Sequence, residues 1–143
     1  MEIKRVDFIN VNRYNFLRKS VNWREVCREF VETGFRNSIN FVAEEEGEII
    51  GITRIITDGG YFNYLSDVIV MPEYQGKGIG RLLVEKAMEY LNNRLGSDNC
   101  MYVALTAAAG KESFYRKFGF LVLPDGDQGA GMSQYLLKQS SNN

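Results

Sequence analysis

The chain has 143 residues, 45% hydrophobic and 24% charged, enough for one domain with a buried core. Lys plus Arg number 17 against 18 Asp plus Glu, so no overall charge draws the chain to nucleic acid or to an acidic membrane, and any anion site has to be local. No apolar run reaches the roughly 20 residues of a membrane helix, the opening MEIKRVDF has no apolar signal-peptide core, and histidine is absent, which excludes imidazole as base, nucleophile or metal ligand.

In chain order, IKRVDF alternates like a strand. Residues 10–34 then carry Val11, Tyr14, Phe16 and Leu17, and later Trp23, Val26, Cys27, Phe30 and Val31, at helical spacing, which predicts two short helices broken around Ser20–Asn22. NFVAEEEGEIIGITRIIT predicts a hairpin around Gly47, with Glu44, Glu45 and Glu46 at its solvated end, and DGG at 58–60 predicts the next turn. YFNYLSDVIV is a strand stopped at Met71 and Pro72. Ile79, Leu82, Leu83, Ala87, Tyr90 and Leu91 recur at the period of an amphipathic helix. CMYVALTA predicts a strand, GKESFYRKF a helix closed by Gly119, and GFLVL and MSQYLLK two last strands around a Gly-rich loop.

The predicted order is β-α-α-β-β-β-α-β-α-β-β, an α+β or mixed α/β domain over residues 1–138, with a frayed tail at 139–143. Cys27 and Cys100 lie far apart in apolar patterns and are expected as buried free thiols, neither disulfide nor metal ligands. The expectation is a cytoplasmic protein without a metal, a nucleic-acid partner or a membrane partner.

The stretch PEYQGKGIGRLL places Gly76, Gly78 and Gly80 between a strand and a helix, with Lys77 and Arg81 beside them. Glycines there let the backbone approach a ligand and turn its N–H groups inward, and the helix start adds partial positive charge. A phosphate or pyrophosphate suits such a cradle. The spacing fits neither a Walker A loop, since no Gly-Lys is followed by Ser or Thr, nor a G-x-G-x-x-G fingerprint, since the residue three after Gly78 is Arg81.

DVIVMPEYQGKGIGRLLVEKAMEYL closely resembles the acetyl-CoA motif of the GNAT superfamily of N-acetyltransferases, [QR]-x-x-G-x-[GA], with Gln75, Gly78 and Gly80 at the matching positions. EEEGEIIGITRI is similar to the family's second and third strands, and FYRKFGF to its fourth-helix signature. A weaker similarity, carried by DGGYFNYLSDVIV and PDGDQGAGM, points to the serotonin or arylalkylamine acetyltransferase type.

The resemblance implies a GNAT fold whose fourth and fifth strands splay apart. It further implies transfer of acetyl from acetyl-CoA, the co-substrate, to a primary amine of a small molecule by direct attack. Backbone groups of Val68, Ile69 and Val70 would hold the pantetheine, and Gln75, Gly76, Lys77, Gly78, Ile79, Gly80 and Arg81 the pyrophosphate. Lys117 either reaches the CoA phosphates or belongs to a solvated helix face.

On spacing alone Tyr115 reads as an aromatic packed beside Phe114 and Phe118, and the resemblance instead matches it to the family tyrosine that protonates the leaving sulfur. Asp67 is the candidate base, with Ser66 or Tyr64 ordering a water relay, or else it only accepts hydrogen bonds. Where many relatives carry Asn or Asp seven residues before the motif tyrosine, this chain has Ala108. Trp23, Phe35, Tyr61 and Phe62 are candidates for an aromatic acceptor pocket, and Asp125 and Asp127 for attracting a cationic amine, against ordinary core and turn roles. The protein is expected as a monomer or homodimer. Two alternatives stay open: a CoA-binding sensor without turnover, and an acetyltransferase for protein or peptide amines.

Overall fold

The computed structural model describes residues 1–138; the fraying expected at 139–143 lies outside the described residues. Residue contacts divide the chain into two compact units, Met1–Leu105 and a second from Thr106 onward.

In the first unit, strand β1 (Glu2–Val6) leads into helices α1 (Val11–Ser20) and α2 (Arg28–Arg36). Strands β2 (Ser38–Glu45), β3 (Glu48–Thr57) and β4 (Phe62–Val70) follow, then helix α3 (Ile79–Asn92) and strand β5 (Tyr102–Ala104). The sheet order is β1-β2-β3-β4-β5; the first four strands are antiparallel and β5 lies parallel to β4. The expected hairpin and turns stand at Glu46–Gly47 and at 58–60, where the chain takes positive φ at Glu46, Gly47 and Gly59.

Alternation along β2 and β3 sends side chains to two covered faces. Phe41, Ala43 and Gly51 face α3: the Phe41 ring meets Tyr90, and a Cβ built on Gly51 would lie 3.2 Å from the Leu83 side chain. Asn40 and Arg54 face α1 and α2, where Asn40 Nδ2 donates to the Phe35 carbonyl at 3.1 Å and Arg54 stacks over the Phe35 ring. Leu17, Val42, Ile52, Ile55, Leu83, Val84 and Ala87 are fully buried between these layers.

The Asn10 side chain caps α1 by accepting from the Arg13 N–H. The break after Ser20 is where expected, but it extends to Cys27, so Trp23, Val26 and Cys27 lie in the connection between helices. Asn15 explains the length: its side chain pairs with both the N–H and the carbonyl of Val26, each at 2.9 Å, and so withdraws those groups from a helix. Both cysteines are free and exposed, contrary to the expected burial, because Cys27 is the α2 N-cap and Cys100 falls just ahead of β5.

The second unit holds one short helix, α4 (Glu112–Arg116), with Gly119 at φ +91° just beyond it. The two last strands expected at 119–123 and 132–138 are absent among the described residues. Only an isolated bridge, Asp125 with Gln128, forms around Gly126. A strand needs a neighbour for its backbone groups as well as an apolar pattern, and Leu121, Met132, Leu136 and Leu137 are all exposed.

At Gly51 helix α3 comes close to the sheet, since an added Cβ would meet the Leu83 side chain at 3.2 Å as well as the Ile69 carbonyl oxygen of β4 at 3.0 Å. Gly51→Ala is expected to lower stability by about 1–3 kcal/mol, seen as a reduced urea midpoint at unchanged slope. An unaltered midpoint would show that α3 retreats without cost.

Candidate active site

β4 positions the candidate site. Its ladder to β5 covers only Phe62–Tyr64 against Tyr102–Ala104, so from Leu65 to Val70 no strand pairs with that edge among the described residues. The expected splay is therefore present. On its other edge β4 runs one residue long: Ile52 pairs with Ile69 and Arg54 with Ser66, which leaves Asp67 and Val68 together opposite Thr53. Such a bulge bends the strand, and Asp67 takes φ +54° to make it.

Past Val70 the chain enters a 3-10 turn, Pro72–Tyr74, then Gly76 and Gly78 at φ +77° and +81°. These are conformations that a side chain resists. Gly78 is the α3 N-cap and supplies no side-chain acceptor, so the first-turn N–H groups of α3 are left for an external oxygen. Gln75 does not point along this row: its Nε2 donates to the Val70 carbonyl at 2.8 Å and pins the turn to the end of β4. Arg81 is engaged with Glu85 at 2.8 Å on an exposed helix face, and Lys77 lies over the Tyr74 ring.

Asp67 has the most elaborate surroundings in this unit. Tyr14 donates a short hydrogen bond to Asp67 Oδ2, Arg54 donates to the same oxygen at 2.9 Å, and Arg18 approaches Oδ1 at 3.3 Å. The three charged side chains are only 7%, 12% and 17% exposed for Asp67, Arg54 and Arg18. Arg54 also bonds Ser38, and Arg18 bonds the Arg24 carbonyl and lies over the Trp23 ring. One carboxylate thus ties β4 to β3 and α1. Burial first, then the Asp67 charge, pushes the Tyr14 phenol up to about 12.

Of the acceptor-side candidates, Trp23 joins this cluster through Arg18, and Phe35 through Arg54. Tyr64 and Ser66 stand half-buried on β4. Tyr61 and Phe62 are exposed and pack against Tyr102 at the other end of the strand, away from the bulge. Tyr14, Arg18 and Arg54 were not anticipated. The available signal was Arg54 itself, a lone cation inside the apolar run IIGITRII, which requires an anion once that strand is buried.

In the second unit, Tyr115 meets Phe114 and Phe120 edge to face at 4.9 and 6.2 Å, and burial pushes its phenol up to about 12. Lys117 caps α4 and is exposed; Asp125 and Asp127 are exposed around the Asp125–Gln128 turn. Among the described residues no three acidic or cysteine side chains converge as metal ligands, and no helix is long and apolar enough to cross a membrane.

The family model for the acetyltransferase (GNAT) domain matches residues 36–122. The chain belongs to the GNAT acetyltransferases. It is 28% identical over 127 residues to an uncharacterized N-acetyltransferase, ycf52, of Pyropia yezoensis, covering 84% of this chain and 71% of that one. It is 33% identical over 97 residues to a chloroplastic serotonin N-acetyltransferase 2 of Oryza sativa, covering 68% and 46% respectively. A solved Staphylococcus aureus structure, described as a probable acetyltransferase, superposes with a TM-score of 0.80 at 29% identity over 94% of this chain and all of that one. Arg54 and Asp67 fall inside the matched family span, whereas Tyr14 and Arg18 precede it.

The raised phenols predict alkaline behaviour with a definite sign. Tyr14 keeps its proton to about pH 12 when folded but to about 10 when unfolded, so its contribution is complete below pH 10 and is lost as pH rises through 12. The unfolding free energy should fall over that window, by at most about 1.4 kcal/mol per pH unit from this group, read as a declining urea midpoint, and Tyr14→Phe should shrink the fall. An identical fall in the variant would remove Tyr14 as its source.

Proposed function

We propose that this chain moves acetyl from acetyl-CoA to a primary amine of a small molecule, by direct attack with both substrates bound. The observation that carries the reading is the continuity between the open β4 edge and the uncapped α3 start, with Gly76 and Gly78 shaping the turn between them. Acetyl-CoA fits that run of donors, since it has a thiol arm rich in amides and a pyrophosphate. The Val68, Ile69 and Val70 backbone would hold the arm and polarise the thioester carbonyl with fixed N–H groups, which need no reorganisation as charge develops. The Gln75–Arg81 segment would hold the pyrophosphate. When bound, acetyl-CoA supplies the activated acetyl group.

Tyr115 is assigned as proton donor to the departing thiolate; a phenol held up near 12 keeps its proton throughout the neutral range. An alkylamine with a pKa near 10.4 is neutral in only about one molecule in 10³–10⁴ at pH 7, so a proton must leave before attack. Asp67 accepts from Tyr14 and Arg54 at Oδ2 and from Arg18 at Oδ1, donors on α1 and β3 that hold the carboxylate in place. That set of donors supports a positioning role: Asp67 fixes the bulge that orients Val68, and water carries the amine proton away. Lys117 is assigned to the CoA phosphates, Asp125 to attracting a cationic amine, and Trp23 and Tyr64 to the acceptor; Tyr61, packed on Tyr102 at the far end of β4, is left out of that role. The serotonin N-acetyltransferase named among the relatives supports an arylalkylamine as the first acceptor to try.

Thiol release from acetyl-CoA should be measured against aryl and alkyl amines, polyamines, amino sugars and peptides. Release with a small amine is expected. Release with peptides alone would move the acceptor class to protein amines, and CoA binding with no release would make the chain a sensor.

Tyr115→Phe is expected to lower kcat by about 10² or more with CoA affinity unchanged; equal activity would remove it as proton donor. Asp67→Asn should lower the melting temperature and kcat while leaving the pH profile in place. A profile displaced to higher pH would return Asp67 to the role of base.

A further inference from the structure

Two guanidiniums converge on one carboxylate in the first unit, and they are held differently. Arg54 is fully engaged: Nη1 donates to Asp67 Oδ2 at 2.9 Å, and Nε and Nη2 donate to the Ser38 hydroxyl at 3.3 and 3.2 Å. Arg18 is fastened at one end only. Its Nε donates to the Arg24 carbonyl at 2.6 Å, while Nη1 reaches Asp67 Oδ1 and the Tyr14 oxygen at 3.3 and 3.4 Å. Nη2 of Arg18 meets no acceptor among the described residues. Every buried side-chain nitrogen and oxygen among those residues has a partner, so this Nη2 is open to solvent.

The ionisable groups of the cluster are Tyr14 and Arg18 from α1, Arg54 from β3 and Asp67 from β4. Tyr14 stays neutral, so a single carboxylate faces two cations and one positive charge is left over. Lys19 and Glu25, the flanking charges, pair with each other at 3.4 Å and do not alter that balance. A cation mostly withdrawn from water calls for a counter-anion. A carboxylate carries the one charge that is missing and has the planar shape that matches an Nη1 and Nη2 fork. A phosphate monoester would bring a second charge with no cation left to meet it. The Trp23 and Tyr14 rings, 5.5 and 5.7 Å from the guanidinium carbon, hold the fork in place. The site adjoins the proposed chemistry, since Asp67 directly precedes Val68 on β4.

We propose that Arg18 binds a carboxylate of the acceptor, which makes the preferred substrates primary amines that also carry a carboxylate. The amine half of this statement rests on the acetyl-transfer reading; the carboxylate site does not.

Trp23 is the only tryptophan of the chain and lies over the Arg18 guanidinium, so its fluorescence reports the site without CoA or turnover. The full chain should be titrated with 4-aminobutyrate and phenylalanine, and with the same amines lacking the carboxylate, propylamine and phenethylamine. In at least one pair the carboxylate member should bind about tenfold or more tightly than its partner. Arg18→Gln should erase that difference, and Arg18→Lys, which keeps the charge and loses the fork, should reduce it. With acetyl-CoA present, the kcat/KM ratio within that pair should favour the carboxylate member and fall about tenfold or more in Arg18→Gln. No preference for the carboxylate in either pair, an undiminished preference in Arg18→Gln, or tighter binding of phosphoethanolamine than of 4-aminobutyrate would each overturn the proposal. Carboxylate binding without thiol release from any amine would uphold the Arg18 site and overturn acetyl transfer instead.

Discussion

A buried carboxylate holds the centre of this fold. Asp67 stands where β4 has one residue more than β3, in a left-handed backbone conformation, and three donors from two other elements converge on it. A charge with so little access to water is tolerated only when paired and hydrogen-bonded, so Tyr14, Arg18 and Arg54 have to be where they are. Their positions dock α1 against the sheet. The bulge they stabilise bends β4 within the unpaired edge that starts at Leu65, on which the proposed chemistry depends.

Much of the first unit was legible in the sequence because local periodicity determines it. The hairpin at Gly47, the stop at Pro72 and the helix from Ile79 to Asn92 each follow from residues within a few positions of one another. The glycine turn was equally legible, since positive φ at Gly76 and Gly78 is a local requirement. The Asp67 cluster was not, because Tyr14 lies 53 positions from its partner and nothing local announces the pairing. Arg54 alone left a trace, as a cation in an apolar strand.

The expectations that failed share a physical origin. GFLVL and MSQYLLK have the composition of strands, but composition does not specify the neighbour that a ladder requires. Cys27 and Cys100 sit among apolar residues, yet both lie at the ends of elements, where the chain surfaces. In each case a pattern of side chains was readable while the backbone partner or the depth was set from elsewhere in the fold.

The pairing of Arg81 with Glu85 bears on how the glycine turn meets a ligand. Both side chains are largely exposed, 59% and 45%, and exposed pairs one helical turn apart are worth only a few tenths of a kcal/mol. Exchanging Glu85 for an incoming phosphate oxygen is therefore close to an even trade. Before that exchange, the Arg81 charge is met by a carboxylate of its own helix. Discrimination then falls to the rigid backbone N–H groups, which reward the shape of a guest more than its charge.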